Sequence, residues 1–302
     1  MFKSKNSMSR ALVRRETTAG YLFLLPSLFF FVTFVLYPMF LCIYTSFFDS
    51  NMGKNAVDVF VGLGNYKELF QDKLFLGALK NTVLIVVVAV PTVCAFSLWV
   101  ATAIYDMKPA LTSAFRCIFY LPVVTGSVAV TVVWKWMYNS RYGVFNYLFK
   151  SLGIIDQNIN WLGDARFALW CIILILFTTS VGQPIVLYVS ALGNVDYSLV
   201  EAAQVDGANR RQVFWKIKWA QIMPTTLYIL IITTINSFQC FALIQLLTSG
   251  GPTHSTDTIM YYIYYTAFKL YRYGYGNAMG VVLMIIIAVL SAVQFKLGQQ
   301  SD

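Results

Sequence analysis

The sequence predicts an all-α protein that crosses a membrane about six times, with a pair of cytoplasmic helices between the fourth and fifth crossings. Three observations carry that reading. Apolar residues make up 58% of the chain and charged residues only 12%, with a mean hydropathy of +0.66, whereas a soluble domain carries roughly a quarter charged residues. Six apolar runs are long enough to cross a bilayer. Between the fourth and fifth runs, the segment Ser198 to Pro224 gathers charge, a glycine and helix-start chemistry.

The runs lie near 20–47, 82–104, 115–138, 167–192, 224–247 and 277–296. A hydrocarbon core about 30 Å thick takes about 20 residues at helical rise. Unpaired backbone in lipid costs several kcal/mol per group, so each run is expected to be a helix. The first run follows a basic block, Lys3, Lys5, Arg10, Arg14 and Arg15. It is too long for the apolar region of a signal peptide, and Phe47-Phe48-Asp49 offers no small-x-small cleavage site. It reads as a retained span that Pro26 and Pro38 kink or shorten. Summed over all loops the charge bias is thin, so the basic block, opposed only by Glu16, decides orientation. It places the N-terminus in the cytoplasm, and six crossings return the C-terminus there. Residues 1–19 are then a cytoplasmic tail and 20–302 a transmembrane domain, with external loops near 48–81, 139–166 and 248–276.

Several function classes fall away. The net charge of +9 reads as basic residues gathered at a membrane surface rather than as a nucleic-acid footprint. Five scattered cysteines and the single histidine, His254, offer no metal-ligand spacing. No G-x-x-x-x-G-K-[ST] occurs, so the chain has no phosphate cradle of its own. Asp106, Asp164 and Asp196 fall near span ends. Ion-coupled carriers keep intramembrane carboxylates, so this placement weighs against one.

The segment 198–224 predicts two helices. Ser198 with Glu201 three residues on has the form of a capping box, Gly207 permits a sharp turn, and Val213, Phe214, Ile217 and Ala220 form an apolar face with Arg210, Arg211, Lys216 and Lys218 opposite. Pro224 is expected to end the second helix and open the next span. By these features alone, the pair either rests on anionic headgroups or docks a partner.

The spacing Glu201-Ala202-Ala203, Gly207, then Ile222-x-Pro224 resembles the EAA loop of ABC importer permeases, with Met223 where leucine is more usual. Further matches run along the chain. They include Tyr21-Leu22-Phe23-Leu24-Leu25-Pro26 with Tyr37-Pro38, Asn81-Thr82, Leu121-Pro122, and Leu247-Thr248-Ser249-Gly250-Gly251-Pro252 followed by Gly274-Tyr275. Together they are similar to the larger membrane subunit of maltose- and glycerol-phosphate-type importers in a bacterial cytoplasmic membrane. The resemblance implies that Glu201, Ala202, Ala203, Gly207 and Pro224 form the socket of an ATPase. It also implies two ATPase subunits that bind ATP and magnesium, a second permease chain and an extracytoplasmic solute-binding protein. The turn Gly250-Gly251-Pro252 would face that binding protein, or be a plain turn between spans.

A sugar path needs hydrogen-bonding side chains and flat aromatic faces at membrane depth. Gln183 and Tyr188 in the fourth span, with Asn236 and Gln239 in the fifth, are the candidates, and polar contacts between helices are their alternative use. Gln183 precedes Pro184, which frees backbone groups, and Asn236 and Gln239 are spaced to share a helix face. The competing reading is a secondary carrier or channel. It would move solute as a single purified chain.

Overall fold

Apolar length builds the scaffold, and prolines, glycines and caps decide where it bends. The computed structural model describes residues 3–50 and 58–299, with side chains described for 16–50 and 58–298. The basic block Lys3 to Arg15 therefore lies outside the described side chains. Helix α1 (Lys3–Phe31) passes through a π-helical turn, Val32–Leu36, into α2 (Tyr37–Thr45). Pro26 sits inside α1 without ending it, and Pro38 follows directly on the π turn within the same continuous helix. The wide turn ahead of Pro38 takes up the misfit.

A two-residue antiparallel ladder follows, β1 (Phe48–Asp49) on β2 (Val59–Phe60), with Phe48 opposite Phe60. Then come α3 (Gly64–Leu69) and the long α4 (Lys73–Ile104). The second span thus begins well before residue 82, because Asp72 caps it by accepting a bond from the Leu74 amide at 2.8 Å. Asp72 also accepts from the hydroxyls of Tyr262 at 2.7 Å and Tyr275 at 2.9 Å. Burial pushes this carboxyl up, but the two hydroxyls and the helix amides outweigh it and hold it below the usual range.

The third expected span, 115–138, is not one rod. Helix α5 (Pro109–Val124) and helix α6 (Ser127–Met137) meet at 95°. Pro122 removes an intrahelical donor just before extended Thr125 and Gly126, and the chain turns there. A short α7 (Val144–Ser151) lies in the following loop. The fourth span is α8 (Ala168–Ser180) continued by α9 (Gly182–Gly193). Beyond it stand α10 (Tyr197–Val205) and α11 (Arg210–Val213), then a π-helical turn, Phe214–Lys218, leading into α12 (Trp219–Phe238). Helices α13 (Ala242–Leu247), α14 (Ile259–Phe268) and α15 (Tyr273–Gln299) complete the chain. Five stretches are long and apolar enough to cross a bilayer, and the bent pair α5–α6 makes a sixth if it counts as one span.

Two of these elements correct expectations. Pro224 lies inside α12 and ends nothing, since the helix runs on from Arg210 to Phe238. A span can keep a proline when neighbouring groups satisfy the freed carbonyl. The region 248–276 is no simple loop, because α14 buries Ile259, Tyr261, Tyr262 and Thr266.

The core forms where α4, α9 and α12 meet, with Val93, Val100, Ile185, Tyr188, Val189, Ile222 and Ile229 in one cluster. At the far end Phe75, Phe238, Ile259, Tyr262, Tyr275 and Met279 form a second. By contrast, α1 and α2 bury no part of their apolar stretch.

Candidate functional sites: the coupling segment and a polar cavity

At one end of the bundle, α10 and α11 form the segment singled out in the sequence. Its first cap is Asp196, not Ser198. The Asp196 carboxylate accepts from the Ser198 amide at 2.9 Å and from its hydroxyl at 2.7 Å, and these bonds hold it below the usual carboxylate range. Glu201 therefore closes no box with Ser198. The capping box is at α11, where Asn209 and Gln212 bond each other's backbone amides reciprocally. Between the helices Gly207 has φ +82°. Its amide reaches the Gln204 carbonyl at 3.1 Å, and the Ala208 amide reaches the Ala203 carbonyl at 2.9 Å. This paired pattern ends a helix on a left-handed residue.

The segment is braced on its inner side only. Lys218 bonds the Tyr105 hydroxyl and sits 4.5 Å from that ring's centre, and the Gln221 side chain accepts from the Asp196 amide at 3.0 Å. Val200 is the one residue α10 buries. Glu201 and Ala202 face solvent, as do Leu199 and Val205, the latter 88% exposed. The helix thus presents apolar Leu199 and Val205 and charged Glu201 to its surroundings together.

Midway along the fourth span, a cavity of about 160 Å³ opens between α9 and α12, with Val123 of α5 at its edge. Gln183 and Asn236 both line it, joined by Thr179, Ser180, Tyr228 and Thr233, and no charged side chain does. Pro184 lacks the amide that a continuous helix would offer the Ser180 carbonyl, so this wall has spare hydrogen-bonding capacity. The other two candidates stand elsewhere. Tyr188 is fully buried in the α4–α9–α12 core. Gln239, the C-cap of α12, keeps its amide on the Ile235 carbonyl at 3.1 Å but is not among the residues that line the cavity. Thr179 and Thr233 escaped the sequence reading although they stand four and three residues before Gln183 and Asn236, the spacing that shares a helix face.

At the opposite end, Gly250, Gly251 and Pro252 form a tight turn pinned to its neighbours. Asn81 donates to the carbonyls of Ser255 and Asp257, each at 3.0 Å, and Tyr261 donates to the Ser249 carbonyl at 2.8 Å. Asp257 is buried and meets His254 Nδ1 at 2.7 Å. Burial pushes its carboxyl up, and His254 offsets only part of that.

Residues 73–299 match the model of the binding-protein-dependent transport system inner membrane component. The chain belongs to that family. The match takes in α4 to α15, and so both the coupling segment and the cavity. Among relatives, a probable ABC transporter permease protein of Bacillus subtilis, YesP, is 33% identical over 94% of this chain and 91% of its own length. The lactose transport system permease protein LacF of Rhizobium radiobacter is 32% identical over 94% and 95%. The multiple sugar-binding transport system permease protein MsmF of Streptococcus mutans is 32% identical over 94% and 96%. The fold is shared with a chain in the crystal structure of a bacterial alginate ABC transporter in complex with an alginate pentasaccharide-bound periplasmic protein. There the TM-score is 0.80 at 24% identity, covering 93% of each chain. As a transport permease of this family, the chain is a membrane-spanning component and not an enzyme.

Proposed function

We propose that this permease conducts an uncharged carbohydrate across a bacterial cytoplasmic membrane, driven by ATP hydrolysis in two partner ATPase subunits. A second permease chain completes the pore, and an extracytoplasmic binding protein delivers the solute. Both termini lie in the cytoplasm, on the side of α10 and α11. The observation that carries the reading is the cavity between α9 and α12, where amides and hydroxyls converge without charge. Sugar hydroxyls need such donors and acceptors, and a phosphate or carboxylate would call for cations. The lactose and multiple-sugar permeases among its relatives support the solute class.

In this mechanism the ATPases hold ATP and magnesium, and this chain supplies the joint. Glu201 makes a charge-assisted contact with the ATPase, Ala202 and Ala203 let it approach closely, and Gly207 sets the angle between α10 and α11. Closure of the ATPase pair pushes α10, and the unbroken helix from Arg210 to Phe238 carries the push to the cavity wall at Asn236. The test is uptake of labelled neutral oligosaccharide into proteoliposomes. Uptake requires ATP, both ATPase subunits and the binding protein; uptake by this chain alone would overturn the proposal in favour of a carrier.

The cavity makes its own prediction. Gln183→Leu and Asn236→Leu each remove about 1 kcal/mol of hydrogen bonding, so each raises the half-saturating solute concentration about fivefold. Tyr188→Phe, a change in the core, leaves it within about twofold. Uptake kinetics at saturating binding protein measure all three.

A further inference from the structure

The loop between α6 and α8 is built around one asparagine. Asn146, 2% exposed, donates to the carbonyls of Asn139, Ser140 and Ile159 at 3.3, 3.2 and 2.9 Å. Its side-chain oxygen accepts from the Ile159 amide at 3.1 Å and from Trp161 Nε1 at 3.0 Å. Every polar position of that amide is used, and the backbone from 139 to 161 is tied to one point. The inward face of α7 adds ring contacts, with Phe145 stacked 4.9 Å from Tyr138 and Phe149 tilted 5.6 Å from Trp161.

Against this frame lies an open cavity of about 490 Å³, remote from the cavity between α9 and α12. Arg141, Tyr142, Tyr147, Lys150 and Asn158 line it, with Asn146 at its base. No carboxylate lines it, and neither Arg141 nor Lys150 joins an ion pair among the described residues. Tyr142 is 66% and Tyr147 77% exposed. The frame is rigid, while its cations are unneutralised and its aromatic rings open to solvent. Cations gathered in a concavity reinforce one another's field and draw in an anionic partner. Tyrosine and arginine are enriched among the residues that carry binding energy at protein interfaces, tyrosine because it brings large area at low entropic cost and arginine because it pairs with carboxylates.

The pocket stands at the end of the bundle opposite the coupling segment. Tyr138, at the start of this loop, clusters with Cys171 near the start of α8 and with Ile244 and Leu247 of α13. We propose that this pocket is the docking site for acidic side chains of the extracytoplasmic solute-binding protein, with Arg141 and Lys150 as the charge partners and Tyr142 and Tyr147 as the contact platform. The proposal rests on the importer reading above. It separates capture of the binding protein from conduction of the solute, because none of these four residues lines the cavity of Gln183 and Asn236.

The experiment uses the assembled transporter in lipid nanodiscs and follows ATP hydrolysis as its binding protein is titrated in. An Arg141→Glu/Lys150→Glu double variant raises the half-maximal binding-protein concentration by about tenfold or more, since each 1.4 kcal/mol is a factor of ten. The rate at saturating binding protein is retained. An Arg141→Lys/Lys150→Arg variant stays close to the parent, which shows that the charge is read and that the loop tolerates change. At about 0.5 M salt the difference between parent and double variant shrinks, because exposed charges are screened. A half-maximal concentration unmoved by charge reversal overturns the proposal. So does a shift that appears only when anionic lipid is varied, which would assign the pocket to lipid headgroups. Absence of any stimulation by the binding protein in the parent complex would instead overturn the importer reading itself.

Discussion

Gly207→Val abolishes ATP-driven uptake, by at least about tenfold, while the chain still inserts and assembles. At φ +82° an L side chain is strained, by about 1–2 kcal/mol for an ordinary residue and more for a β-branched one. Relief requires the turn to open, which gives up the bonds from Gly207 to Gln204 and from Ala208 to Ala203, each worth about 1 kcal/mol. The opened turn becomes the major conformer once the strain of the β-branched side chain exceeds the roughly 2 kcal/mol that those two bonds supply. Space is not the obstacle, since a methyl group at this position meets nothing within 4 Å. Gly207→Asn, which tolerates the left-handed conformation, should therefore recover most of the uptake. Because Gly207 is exposed and outside every span, membrane yield and binding-protein capture stay near normal in both variants. Uptake in proteoliposomes, set against the amount of assembled complex, measures the effect. Normal uptake by Gly207→Val would show that α10 transmits nothing.

Gly250→Val should have the next largest effect, and here strain and space act together. Gly250 has φ +83°, and a Cβ would lie 2.1 Å from Asp257 Oδ1 and 2.8 Å from the Tyr261 ring. Asp257 cannot simply swing away. It is buried, its other oxygen meets His254 at 2.7 Å, and its backbone is held by Asn81. Forcing a side chain into such a site costs about 1–3 kcal/mol, in addition to the strain of the left-handed backbone. The expected result is an opened turn, seen as proteolytic cleavage near Ser249–Ser255 that the parent resists. ATP hydrolysis no longer responds to the binding protein, while basal hydrolysis persists. Full stimulation in this variant would separate the turn from docking.

The spans and the coupling segment are legible because each rests on local chemistry. Twenty apolar residues in lipid have few alternatives to a helix, and Gly207 announces its turn without help from distant residues. What lay hidden depends on neighbours. Ser198 and Asp196 both suit a helix start, and the choice between them turned on the carboxylate, which takes the Ser198 amide and hydroxyl together. Gln183 and Tyr188 stand about 140° apart around a helix at 100° per residue. One could face a cavity while the other faced the core, and hydropathy cannot tell which. Asn236 and Gln239 are spaced to share a face, yet only Asn236 lines the cavity, because α12 ends at Phe238 and the wall ends with it. The break at Gly126 was the hardest to foresee, because apolar residues flank it on both sides and mean hydropathy stays high across the bend.

The wide turn at Phe214–Lys218 settles how the machine is clocked. A π turn holds one residue more than an α turn. Everything before it is therefore offset by about 100° about the helix axis, and by about 1.5 Å along it, from where an unbroken α-helix would carry it. The compass bearing of Arg210 relative to Asn236 is thus a matter of residue count, independent of the side chains at either end. Deleting one residue inside this turn would close it to an α turn and keep that bearing, whereas deleting one elsewhere between Arg210 and Asn236 would turn the two against each other by about 100°. The bearing of the exposed α10–α11 segment on the cavity wall is thus held by the residue count of one helix.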